Sequence, residues 1–191
     1  HNLNILAGTG ADGRYAQLGF QASNQGGLYT ITGALFARVR NDIIATGGVA
    51  NEYNYAQLGH VGADQASDST VDANVSAAIS IAAGNNLNFS GGDGEEAYSQ
   101  LGHGGRSTDG DLSGDITITT ANDLNFSGGG REAYSRLGHG GRSANGNHSG
   151  VITITNANNL SFSGSDGFRA YSQLGHGGYL AEGDHSGAII I

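Results

Sequence analysis

The fifteen residues Asp115-Ile-Thr-Ile-Thr-Thr-Ala-Asn-Asp-Leu-Asn-Phe-Ser-Gly-Gly129 recur without a gap as Val151-Ile-Thr-Ile-Thr-Asn-Ala-Asn-Asn-Leu-Ser-Phe-Ser-Gly-Ser165. A more worn copy reads Ala78-Ile-Ser-Ile-Ala-Ala-Gly-Asn-Asn-Leu-Asn-Phe-Ser-Gly-Gly92. Ile-Thr-Ile-Thr and Leu-Asn-Phe-Ser alternate with period two, so each is a strand that sends one set of side chains inward and the other outward. One copy alone would leave its Ile, Leu and Phe bare. Copies stacked above and below cover them.

Working outward, the segment Tyr-(Ala/Ser)-(Gln/Arg)-Leu-Gly begins at Tyr15, Tyr55, Tyr98, Tyr134 and Tyr171, at spacings of 40, 43, 36 and 37. Three strands per copy are predicted, Ile116 to Thr120, Leu124 to Ser127 and Ala133 to Gly138, with Gly141 to Gly150 as a loop on one edge. Stacking places Leu3, Ile43, Leu87, Leu124 and Leu160 in one column, and Ile5, Ala45, Phe89, Phe126 and Phe162 in the next. A third column holds Ile79, Ile116, Ile152 and Ile189. Asn41, Asn85, Asn122 and Asn158 align at a corner, where Asn tolerates tight backbone and can bond the next Asn.

The predicted fold is therefore all-β: a right-handed parallel β-helix, or solenoid, with one repeat of about 37–43 residues per coil. Residues 1–191 form a single array, with irregular loops at about 21–33 and 61–75. Both ends fall inside the pattern and read as cut from a longer array.

Composition narrows the partners. The chain has 35 Gly and neither Pro, Cys, Met nor Trp, and its positive charge comes from Arg alone. Gly without a third-residue period excludes collagen, and the alternating strands argue against a disordered linker. A net charge of −9 disfavours nucleic acid and anionic membrane surfaces. No apolar run reaches the ~18–20 residues of a spanning helix, so no direct membrane insertion is expected.

Repeats of Ser-Gly-Asp-Ile-Thr-Ile-Thr, Asn-Asp-Leu-Asn-Phe-Ser-Gly-Gly and Ala-Tyr-Ser-Gln-Leu-Gly-His-Gly-Gly resemble the repetitive β-helical stalks of filamentous-haemagglutinin-like, two-partner-secreted bacterial surface proteins. The likeness runs over essentially the whole chain. It implies export through an outer-membrane partner, a secreted or cell-surface location, and a role in adhesion, biofilm or an extracellular filament. The amino-terminal secretion domain of such proteins is not in these residues.

Several side-chain columns invite a functional reading. If Leu137 points inward, Tyr134 points outward, which predicts a contact stripe of Tyr15, Tyr55, Tyr98, Tyr134 and Tyr171 beside Gln17, Gln57, Gln100, Arg136 and Gln173. Such a stripe suits a host or matrix glycan or protein; the plainer alternative is that the loop folds over it. His60, His103, His139 and His176 align with Phe20; rungs ~4.8 Å apart favour a hydrogen-bonded corner histidine over a metal site. Thr117, Thr119, Thr153 and Thr155 suggest an ice-binding grid, but Phe36, Arg38, Ser80, Ala82 and Ile190 interrupt it. The Gly91–Glu96 and Asp109–Asp111 segments lack the spacing of calcium-binding Gly repeats. A polysaccharide-active enzyme would have only Asp64, Asp68 and Asp72 in the irregular region, without a His or Arg beside them. Neither catalytic residues, cofactor nor metal are expected. The expected function is a structural or adhesive shaft that self-associates end to end or side by side into a fibre, the alternative being glycan or receptor binding by the Tyr/Gln stripe.

Overall fold

The computed structural model describes every residue except 11, 23–26, 51 and 64–69. Among the described residues there is no helix, and so none long and apolar enough to cross a membrane. The strands form three parallel sheets, which make the walls of a β-solenoid of about five turns. The first wall has eight strands, among them Leu35–Val39, Ile79–Ala83, Leu87–Ser90, Ile116–Ser127 and Ile152–Ser163. The second has five, Tyr15–Leu18, Tyr55–Leu58, Tyr98–Leu101, Tyr134–Leu137 and Tyr171–Leu174.

Register follows the repeat. Ile116 pairs with Ile79 below and Ile152 above, and Leu124 with Leu87 and Leu160. The Phe89, Phe126 and Phe162 rings stack at 4.9 and 4.8 Å between centroids. These columns, with Leu58, Leu101 and Leu137 from the second wall, make the main core. The Asn corner also behaves as expected: the Asn158 amide donates to Asn122 Oδ1, and Asn85 N donates to Asn41 O at 3.1 Å.

Two expectations need correction. The strands predicted as Ile116 to Thr120 and Leu124 to Ser127 are one strand, Ile116–Ser127, as they are in the copy above. In the copy below they stay separate, Ile79–Ala83 and Leu87–Ser90, as they do one copy further down, Leu35–Val39 and Ile43–Thr46, where Arg40 takes the position of Gly84.

The second correction is larger. Residues 141–150 are not an edge loop; they belong to a third wall, whose strands are Tyr29–Ile31, Val71–Ser76, Thr108–Asp109 and Leu112–Ser113. Parallel bridges carry it upward from Asp109 to Asn145 and Glu182, and from Leu112 to His148 and His185. The irregular regions near 21–33 and 61–75 supply its lower strands. Its inward residues are small, Val71, Ala73, Val75, Ala77 and Leu112, yet they close a second core with Ala22 and Val61. The second wall is thus a partition, buried on both faces in its middle three strands.

Candidate functional site

That partition decides where the proposed contact stripe lies. On one face of the second wall, Leu58, Leu101 and Leu137 meet the main core, and Ser135 Oγ donates to Phe89 O at 3.0 Å. On the other, the tyrosines pack with Ala63 in a small core of their own. Tyr55, Tyr98 and Tyr134 are 0 % exposed, so the middle of the predicted stripe is closed to any partner. Tyr171 is half-buried and only Tyr15, on the first rung, is exposed. The five rings form one stacked column, with centroids 4.7 to 5.1 Å apart and planes within 8°. Turns leading into the third wall stand over the rings, as the covering-loop alternative expects: a Cβ on Gly62, Gly105 or Gly141 would lie 2.4, 2.5 and 3.0 Å from the hydroxyl oxygens of Tyr55, Tyr98 and Tyr134.

The glutamines are equally internal. Gln57 and Gln100 are fully buried, while Gln17 and Gln173 are half-buried. The buried amides reach the carbonyls of the Gly-His-Gly turn one rung up: Gln57 Nε2 donates to Gly102 O (2.9 Å) and Gly104 O (2.8 Å), and Gln100 Nε2 to Gly140 O (3.0 Å). Gln17 and Gln173 donate to Gly59 O and His176 O. Buried carbonyls need donors, and the glutamine column provides them.

Arg136 takes the glutamine position in the fourth rung. Its guanidinium is fully buried and forms no ion pair among the described residues; it donates to the carbonyls of His139 (2.6 Å), Gly175 (2.8 Å) and Gly177. Burial lowers its pKa, since charge is costly away from water. Arg136→Gln restores the amide of the rungs below and is expected to raise stability by about 1 kcal/mol, as removal of buried charge often does. Arg136→Ala, which removes the guanidinium donor from Gly175 O and leaves His139 O and Gly177 O with their backbone donors alone, is expected to lower it by about 2 kcal/mol. Urea midpoints of the two variants check both signs.

The histidines form a second stacked column, with Phe20 at its foot and His60, His103, His139 and His176 at centroid separations of 4.6 to 5.1 Å. Each Nδ1 accepts the backbone N–H of the column residue one rung down: His103 from His60 at 3.1 Å, His139 from His103 at 3.0 Å and His176 from His139 at 3.1 Å. The ring proton is therefore on Nε2, which donates to a third-wall carbonyl, Ala77 for His103 and Gly114 for His139, both at 2.8 Å. This is the corner-histidine arrangement. Burial pushes His103 down to about 3 and His139 well below the usual range, so the column is neutral near pH 7.

A charge ladder that the residue-by-residue reading overlooked runs up the outer seam. Arg106 pairs with Glu96 (2.5 Å), Glu96 with Arg142 (2.8 Å), Arg142 with Glu132 (2.7 Å) and Glu132 with Arg169 (3.4 Å). The Arg106 guanidinium lies 4.2 Å from the Tyr53 ring centroid, and that of Arg169 lies 5.2 Å from the Tyr179 centroid. Its sequence signal was a Glu two residues before Tyr98 and Tyr134, matched by an Arg ten residues after the Glu in both copies.

The remaining candidates disperse. Asp64 and Asp68 lie outside the described residues, and Asp72 is exposed on the third wall. Among the described residues no three His, Cys, Asp or Glu side chains converge as a metal site. The Thr plane is interrupted as expected: Phe36 and Arg38 pair with Ser80 and Ala82, and these with Thr117 and Thr119. Compared with known proteins, the chain matches no family model, no curated protein and no solved structure.

Proposed function

We propose that this chain is a shaft segment of a large secreted bacterial surface protein or extracellular filament, of the filamentous-haemagglutinin-like kind that its repeats resemble. It acts by length and stiffness and carries out no turnover. One observation bears most of this reading: the same contacts recur at every step, Tyr on Tyr, His on His and glutamine or arginine on turn carbonyl, within a wall buried on both faces. A solenoid whose rungs are so coupled bends little, because bending would open several buried ladders at once. Self-association into a fibre, end to end or side by side, belongs to the same reading.

Two measurements test it. Inserting further copies of residues 115–150 is expected to lengthen the particle by ~4.8 Å per copy at constant width in electron micrographs. Immunogold labelling of the source cells is expected to mark the surface or extracellular fibres; label confined to the cytosol would overturn the proposal.

A further inference from the structure

On the outward face of the first wall, charge and concavity coincide, with an exposed aromatic ring on the same strand. Leu35, Ala37 and Val39 turn toward the core, so Phe36, Arg38 and Arg40 alternate on the outside. Alternate residues of a strand are ~6.6 Å apart, which spreads the trio over ~13 Å. Pairing lays Ser80 beside Phe36 and Ala82 beside Arg38, with Thr117 and Thr119 one rung further. Long side chains on one side, a floor of small ones and a row of threonines on the other make a groove. A cavity of about 620 Å³ lies in it, lined by Arg38, Val39, Arg40, Ala82, Gly84 and Thr119. That volume is within the ~300–1,000 Å³ of ordinary ligand sites.

The charges in this groove are unspent. Arg106, Arg131, Arg142 and Arg169 pair with glutamates, and Arg136 is enclosed. Arg38 and Arg40 are exposed and form no ion pair among the described residues. Asp42, the carboxylate that follows them in the chain, has its Oδ1 held by Asn85 Nδ2 (2.7 Å) and Asn86 N (3.1 Å). Phe36 is 77 % exposed in a position that the next three copies give to Ser80, Thr117 and Thr153 and the last to Ile190. Strand propensity accounts for an outward Thr, whereas a bare ring beside two unpaired guanidiniums suits a ligand that is both flat and anionic.

We infer that this groove binds an acidic polysaccharide whose sugars carry carboxylates, of the polyuronate type. Arg38 and Arg40 each take a carboxylate through paired N–H···O bonds, Phe36 lies against the apolar face of a sugar ring, and Ser80 and Thr117 meet hydroxyls. Two cations on a chain of net charge −9 are too few for a nucleic acid backbone, which rewards many. The site is independent of the shaft reading and stands or falls separately from it.

Electrophoresis of the 191-residue protein through gels containing polygalacturonate, with dextran gels as the neutral control, tests the assignment. Retardation by polygalacturonate alone is expected, weakening as salt rises from about 50 to 200 mM. The double variant Arg38→Gln/Arg40→Gln is expected to lose about tenfold in apparent affinity and Phe36→Ala about threefold, with unchanged circular dichroism. Arg38→Lys/Arg40→Lys, which keeps the charge but not the paired geometry, is expected to fall between. Absence of retardation at low salt, or retardation that the Gln and Lys variants leave untouched, would overturn the inference. Tighter retention by poly-glutamate than by polygalacturonate would also overturn it, making the face a site for acidic peptide.

Discussion

Gly102→Ala is expected to cost about 3 kcal/mol or more, a loss large enough to unfold much of the population at moderate urea. Gly102 follows the second-wall strand at φ +149°, and a Cβ built there would stand 2.0 Å from the Gly138 carbonyl oxygen of the next rung. The obstacle is backbone, held in place by Gly138 N donating to Leu101 O at 2.9 Å, so no side chain can swing aside. Rungs would have to separate. The same turn carries the Gly102 and Gly104 carbonyls that Gln57 reaches and the His103 carbonyl that Gln100 reaches, so those hydrogen bonds would lengthen together. Gly164→Ala is the control: its Cβ would come no closer than 3.7 Å to Ala170 O, and its expected effect is within about 0.5 kcal/mol. Equal urea midpoints for the two variants would contradict the close vertical packing on which the fold rests.

Acidification is expected to destabilise the protein from pH 6.5 downward, before carboxylates enter their ordinary range. An unfolded histidine titrates near 6.5, whereas His103 in the folded chain is held at about 3 and His139 is held far down. Burial is the main cause for both. His60 adds repulsion at His103; His103, His176 and Arg136 add it at His139. Because the folded pKa is depressed, the unfolded state takes up protons that the folded state refuses. The contribution is complete above pH 6.5 and is lost as pH falls. Each such group gives a slope approaching about 1.4 kcal/mol per pH unit once below 6.5, and the two together about 2.7. Protonation would also place an N–H on Nδ1 against the backbone N–H it now accepts.

Urea unfolding at pH 7, 6 and 5 measures that slope. His103→Gln is expected to be less stable than the parent at pH 7, having lost two hydrogen bonds, yet to show a shallower fall with pH. A parent whose stability is flat between pH 7 and 5 would refute the neutral stacked column.

Phe126 and Tyr134 differ in how far the sequence determines their place. Phe126 was placed in its column correctly, because Leu-Asn-Phe-Ser alternates large apolar with polar side chains and the copies align without a gap. Tyr134 was placed outside, because Leu137 has the opposite parity and a strand with one core must put its other face in water. The error lay in assuming one core. The segments that close over the tyrosines, Gly62-Ala63, Gly105-Arg106 and Gly141-Arg142, carry little hydrophobic signal in a Gly-rich stretch. The arginines show the same limit. Arg106 and Arg136 look alike in sequence, and only the fold makes one a rung of an ion ladder, buries the other among carbonyls, and leaves Arg38 and Arg40 bare.

From the sequence alone came the period, the parallel stacking, the apolar columns and the aligned Asn and His corners, since a repeated chain meets its own equivalents one rung away. Tertiary structure alone decided which faces were inside, because parity distinguishes the two sides of a strand without saying what stands opposite each. Gly-rich turns leading into the third wall lie over the tyrosines and close what parity alone presents as a binding surface.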